Sequence, residues 1–412
     1  MNCCKLLLLS RSKNLRQKTS VLILVITAMT MFLSSCSSNI VVTTGYTKLA
    51  LESSGFQSCD LSNCYLSSSS GPAPSNLKVY KISNHNQITT AFNFNIPASK
   101  DLIGPIESCN EKSNCVIAQG DFQKDQESLT FFITNNSFKS VRHIEFQNIS
   151  KSSKIFYVIA NPNMSCNRDF CLLWNILGIV QFSLITNKLT LVAYLKQKPS
   201  QYVFNNVSCV INSTKCIVVY NNFLSKGQKE LSLTLVPYSE TGFGKKSNFI
   251  IKTTFANNSN FNPAEVEFNC GVSVCGLVAA TAVNSDFKPN TVQLSLLNSN
   301  EPNLVESSAT INAGSSIITL GQASGNSISC LTSECYFEVG TINLQDSAGT
   351  QMIFKVGPKL FGDYTQGDVA NYSFSSFGGY DTSYDQFTCD QSYCIFSGMN
   401  SFSIKLTTIK NI

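Results

Sequence analysis

Beyond residue 40, apolar and polar residues alternate over most of the chain. Glu230-Leu231-Ser232-Leu233-Thr234-Leu235-Val236 shows the pattern, and residues 76–82 and 291–296 repeat it. A period of two puts successive side chains on opposite faces of an extended strand. Residues 128–134, 180–186, 351–356 and 401–409 read the same way. Ahead of such segments stand unbroken apolar runs: Val116-Ile117-Ala118, Leu172-Leu173-Trp174, Ile217-Val218-Val219 and Tyr336-Phe337-Glu338-Val339. Shorter β-prone pieces, such as Val266-Glu267-Phe268 and Tyr202-Val203-Phe204, precede those runs. A further β-prone stretch, residues 141–149 or 188–194, usually follows. No segment past residue 40 has a helical period. The unit is therefore four antiparallel strands.

Seven close cysteine pairs punctuate this pattern: Cys59/Cys64, Cys109/Cys115, Cys166/Cys171, Cys209/Cys216, Cys270/Cys275, Cys330/Cys335 and Cys389/Cys394. Their first members lie 50, 57, 43, 61, 60 and 59 residues apart, the regular spacing of a repeat architecture. Each pair sits between the short β-prone piece and the apolar run, where a strand turns back on itself. Structural zinc sites favour ligands two to four residues apart, whereas four to six residues separate these cysteines and the chain has two histidines. The expectation is one disulfide at the mouth of each hairpin, with no metal. Each small closed ring contributes on the order of 2 kcal/mol on a chain-entropy estimate.

The first residues do not belong to this repeat. Lys5, Arg11, Lys13, Arg16 and Lys18 form a basic stretch without an acidic residue, followed by the apolar run VLILVITAMTMFL at 21–33. Thirteen helical residues span about 20 Å, short of the roughly 30 Å hydrocarbon core of a bilayer, so the run reads as a signal-peptide core. Leu33-Ser34-Ser35-Cys36 follows, then Ser37-Ser38-Asn39. These four residues resemble the lipobox of bacterial lipoproteins. The resemblance implies cleavage before Cys36 and lipidation of its thiol, and Ser37 implies an outer-membrane address. Residues 1–35 are then signal peptide, 36–39 anchor and tether, and 40–412 one domain.

The chain ends sharpen the architecture. The 18 residues after Cys394 are too few for a full unit, and 22 lie between Cys36 and Cys59. Together they make one connection of the size found elsewhere, 38 to 55 residues. The last unit is thus expected to borrow residues 40–47 as its fourth strand. The fold class is all-β: a seven-bladed β-propeller, one hairpin disulfide per blade, closed by an N-terminal strand. Ser58-Cys59, Ser108-Cys109, Ser165-Cys166, Ser208-Cys209 and Ser329-Cys330 carry a Ser-Cys motif, with Asn269-Cys270 and Thr388-Cys389 as departures. This is similar to a repeat of secreted bacterial propellers. Those relatives often add an Asp-box with tryptophan; here the one tryptophan, Trp174, lies outside any such box.

Charge then narrows the function. The leader holds five of the 30 basic residues and none of the 25 acidic ones, leaving 25 against 25 after Cys36. Arg142 and Arg168 are the arginines that remain. A nucleic-acid role loses its electrostatic footprint, and a sialidase-like grip on a carboxylate lacks its three arginines. His143 falls on an alternating segment and reads as solvent-facing, and His85 reads as a turn residue. Glu107, Glu267 and Asp385 precede their cysteine pairs, and two of them facing a central channel would make an acid–base pair. Phe374, Phe377, Tyr380 and Tyr384 cluster in one Gly/Ser-rich connection, Phe361 and Tyr364 in another, as contacts for a ligand. The leading expectation is a membrane-tethered, non-enzymatic module binding protein or glycan, without cofactor. A carbohydrate-active enzyme using channel carboxylates and a surface adhesin are the alternatives.

Overall fold

The computed structural model describes the chain from Val42 to Lys410, apart from residues 50–54, 60–62, 71–74, 83–87, 97–101, 110–113, 123–126, 136–137, 139, 161, 195–201, 223–229, 253–264, 283–288, 303, 313–316, 320–327, 343–348, 358–369, 376–385, 391–392 and 401–402. The described strands fall into seven antiparallel sheets. The chain opens with β1 (Val42–Leu49), which joins the last sheet. Sheet I holds β2 (Gly55–Cys59), β3 (Cys64–Ser70), β4 (Ser75–Ile82) and β5 (Ile88–Ile96). Sheet II holds β6 (Leu102–Cys109), β7 (Cys115–Phe122), β8 (Glu127–Asn135) and β9 (Ser140–Ile149). After helix α1 (Lys154–Ile159), sheet III holds β10 (Asn163–Cys166), β11 (Phe170–Asn175), β12 (Gly178–Ser183) and β13 (Leu189–Tyr194). Sheet IV holds β14 (Tyr202–Cys209), β15 (Cys216–Asn222), β16 (Glu230–Ser239), β17 (Gly242–Phe243) and β18 (Ser247–Lys252). Sheet V holds β19 (Glu265–Cys270), β20 (Val274–Ala282), β21 (Pro289–Asn298) and β22 (Val305–Asn312). Sheet VI holds β23 (Ile317–Thr319), β24 (Ile328–Cys330), β25 (Cys335–Ile342), β26 (Gly349–Val356) and β27 (Ala370–Ser375). Sheet VII holds β28 (Gln386–Cys389), β29 (Tyr393–Asn400), β30 (Ser403–Lys410) and β1.

The strands that end at each first cysteine lie side by side in a closed circuit. β2 neighbours β6, then follow β10, β14, β19, β24 and β28, and β28 lies beside β2 again. Every sheet therefore packs a neighbour on each face, the arrangement of a β-propeller. That explains the unbroken apolar runs: Phe170, Cys171, Leu172, Leu173 and Trp174 on β11 are all buried, whichever face they take. Their hydrophobic cores are the spaces between sheets. Phe131 of sheet II stacks on Phe182 of sheet III at 3.8 Å between ring centres. Outermost strands keep an open face, so β9 alternates exposed and half-buried residues, His143 among the exposed.

Sheet VII closes as the chain ends require. Val42 of β1 pairs with Ile409 of β30, and Leu49 with Ile404, antiparallel throughout. The described strand runs to Leu49, two residues past the expected end, and residues 40 and 41 lie outside the described residues. Two sheets depart from four strands. In sheet IV the outer strand is broken into β17 and β18, both paired to β16. The break faces Pro237, whose carbonyl accepts from Gly244 N–H at 2.8 Å but whose ring nitrogen has no proton for that edge. In sheet VI the innermost strand is split into β23 and β24, both on β25.

Helix α1 leaves no mark in the sequence pattern, because six residues cover fewer than two helical turns. Ser153 caps it, its hydroxyl accepting from Phe156 N–H at 3.2 Å. Asn175 donates to the carbonyls of Tyr157 and Val158, tying the helix to the β11–β12 turn. Gly178 makes that contact fit, since a Cβ there would lie 2.6 Å from the Ala193 carbonyl oxygen and 2.8 Å from Val158 Cγ2.

Candidate functional site

Six bridges join the expected partners: Cys59–Cys64, Cys109–Cys115, Cys166–Cys171, Cys209–Cys216, Cys270–Cys275 and Cys330–Cys335. Cys389 is also disulfide-bonded, and Cys394 faces it across the ladder. The bridged hairpins all lie at one end of the sheets, here called the disulfide end.

In six sheets the residue before the first cysteine links one sheet to the next. Cys109 N–H donates to Ser58 Oγ at 2.9 Å, Cys166 N–H to Ser108 Oγ at 3.0 Å and Cys209 N–H to Ser165 Oγ at 2.9 Å. Cys270 N–H donates to Ser208 Oγ at 2.8 Å, Cys330 N–H to Asn269 Oδ1 at 3.0 Å and Cys389 N–H to Ser329 Oγ at 2.9 Å. Asn269, a departure in sequence, supplies the same acceptor. A first strand on the inside of a ring turns one edge to a neighbour that offers no ladder, and the hydroxyl satisfies the stranded amide. Beyond the cysteines the loops also touch. Ile211 N–H donates to the Gly271 carbonyl and Val272 N–H to the Leu331 carbonyl. A Cβ on Gly271 would sit 1.7 Å from the Leu331 oxygen, so the approach requires glycine.

Among the described residues, Glu107 is the one expected carboxyl whose burial is nearly complete. It stands two residues before Cys109, where other sheets carry Met164, Val207, Phe268 and Ile328, all buried. Its carboxyl points between sheets I and II, where the Ser67 hydroxyl and backbone hydrogen-bond to it. Loss of hydration outweighs those bonds and pushes its pKa up from 4.5 to about 8. Oε1 lies 3.2 Å from Cys109 Sγ. Glu107, Cys109 and Cys115 gather three donor-type atoms within 4.8 Å, but both sulfurs are spent in a bridge and offer no thiolate to a metal.

Glu267 is half-buried on β19 of sheet V, and Asp385 lies outside the described residues. A second well-buried carboxyl, Glu338 on β25, was concealed inside the apolar run of sheet VI. Asp390, also buried, follows Cys389 directly. Glu107, Glu267 and Glu338 stand on β6, β19 and β25 of three different sheets, with Glu107 turned toward Ser67 of sheet I. Cys36, His85, Phe361, Tyr364, Phe377, Tyr380 and Tyr384 lie outside the described residues. Trp174 is buried against sheet IV. Among the described residues no helix is long and apolar enough to cross a membrane.

No protein-family model and no curated protein matches the chain. Among solved structures it is similar to the β-propeller domain of the Trilobed protease from Pyrococcus furiosus, with 9% identity, a TM-score of 0.46, and 90% of this chain and 95% of that one covered. It is also similar to a subtype N10 neuraminidase-like protein of A/little yellow-shouldered bat/Guatemala, with 10% identity, a TM-score of 0.36, and coverage of 90% and 99%. The WD40 domain of SCAP from fission yeast gives 8% identity, a TM-score of 0.40, and coverage of 90% and 98%. These scores are low, and the fold rests on the strand pairings and the closed circuit of sheets.

Proposed function

We propose that this chain is a lipid-anchored, seven-bladed β-propeller of a bacterial cell envelope that binds a protein or glycan without chemically altering it. The observation that carries this reading is the use made of the polar groups nearest the ring's inner strands. The Ser-Cys hydroxyls and Asn269 join sheet to sheet, and Glu107 is enclosed between two sheets, so these groups serve assembly. A ring of this kind offers a rigid platform whose loops carry recognition. The lipobox Leu33-Ser34-Ser35-Cys36 supplies the anchor, with the outer membrane as its destination.

The test is Cys36→Ala in the full chain, in cells. The variant is expected to lose acyl labelling and move to the soluble fraction, while the parent remains with membranes. A variant that stays membrane-bound with unchanged processing removes the anchor. Crosslinking in the same cells then identifies the ligand as protein or glycan.

A further inference from the structure

We infer that the disulfide end of the propeller lies on the membrane, with Ile185, Phe243, Leu304 and Val305 as its lipid-contacting residues, which leaves the opposite end for the ligand. This inference rests on the anchor at Cys36 proposed above and goes further, assigning an orientation and a contact surface.

Strand register places the anchor. Cys389 pairs with Cys394, Cys394 with Ile409, and Ile409 with Val42, so these residues form one row across sheet VII. Val42 thus enters its sheet at the level of the disulfide. Six residue steps separate it from Cys36, a reach of about 20 Å when fully extended. Strand β1 has eight residues and spans about 26 Å. A tether of that length does not reach the far end of the strand it precedes. The bilayer is therefore held near the disulfide end.

The same end carries exposed apolar side chains on three consecutive sheets. In sheet IV the row Cys209, Cys216, Tyr238, Phe243 ends on a phenylalanine that is 43% exposed. In sheet V the row Cys270, Cys275, Leu297, Val305 ends on a valine that is 40% exposed, beside Leu304 at 49%. In sheet III, Ile185 stands at the tip of the β12–β13 turn, 65% exposed. Water gains nothing from four such groups, whereas an interface of headgroups and acyl chains accepts them.

The experiment uses the lipidated protein, expressed full length and reconstituted into vesicles of phosphatidylethanolamine and phosphatidylglycerol with brominated acyl chains. Phe243→Trp reports from the disulfide end and Ile176→Trp, in the β11–β12 turn, from the opposite end. Trp174 is a common background subtracted with the parent. Acyl mass on Cys36 is verified first. The Phe243→Trp emission is expected to fall by about half in brominated relative to plain vesicles, as for a side chain at the headgroup–acyl boundary, and the Ile176→Trp emission to stay unchanged. With acyl groups present, an unquenched probe at 243, or a quenched one at 176, overturns the orientation and leaves the anchor standing. If the purified protein carries no acyl group, the anchor and the orientation fall together.

Discussion

The Ser108 hydroxyl accepts a 3.0 Å hydrogen bond from the backbone N–H of Cys166, 58 residues further along and one sheet on. The acceptor lies beside the bridge of its own sheet, and the donor belongs to the bridge of the next. The bridge holds the strand end still, and the hydroxyl fixes that end against the neighbouring sheet. Thr388 occupies the same place before Cys389, and its strand β28 lies beside β2, so it is positioned to serve Cys59 where the ring closes.

Removing this acceptor leaves a partly buried amide without a partner. Ser108→Ala should therefore lower stability by about 1–2 kcal/mol, read as a fall in the denaturant midpoint without a change in slope. Ser108→Asn should recover most of the loss, because Asn269 makes the same bond to Cys330. Equal losses in both variants would show that the hydroxyl acts through packing alone.

Glu107 gives stability a pH dependence of known sign. Its carboxyl ionises near pH 4.5 when exposed and near 8 when folded. Its contribution is therefore fully present below about pH 4.5 and is lost as pH rises toward 8, because ionisation favours the unfolded chain. Glu107→Gln keeps the shape and removes the charge. The variant should match the parent below about pH 4 and exceed it by a few kcal/mol near pH 8. Parallel stability curves over that interval would rule out the buried ionisation.

Residues 42–49 should behave as a ring-closing element and not as a linker. Deleting them while retaining Cys36 through Val41 exposes the edge of β30. The melting temperature is expected to drop by several degrees, and the exposed edge to promote aggregation. A deletion that melts with the parent would mean that sheet VII is stable with three strands.

Much of the fold was legible because its signals are local and repeated. The Ser-Cys pairs mark the turn between first and second strands, the apolar runs mark strands packed on both faces, and alternation marks the strands outside them. Sequence arithmetic at the ends reached β1 because a closed ring cannot spare a strand. What escaped depended on contacts between units. Glu107 occupies a position filled by Met164 in sheet III and Phe268 in sheet V, and only the neighbouring Ser67 reveals how a carboxyl is accommodated there. The break in sheet IV was signalled by Pro237, an edge effect visible once the strand's neighbours are known. Helix α1 is held by Ser153 and Asn175 and by burial of Val158 and Ile159, none of which leaves a period in six residues.

The pairing of Val42 with Ile409 also orders events in time. Synthesis presents β1 before sheets I to VI, and its partner β30 follows only after them. Until β30 is made β1 has no ladder to join, while sheets I to VI can each form from contiguous sequence. Local hairpins with their bridges thus precede a single closure of very long range, the slow step expected when loop entropy must be overcome before the final contacts form. Until then both ends of the array are open edges, and the nascent protein is most vulnerable to pairing with another copy of itself at the moment before its first strand finds its last.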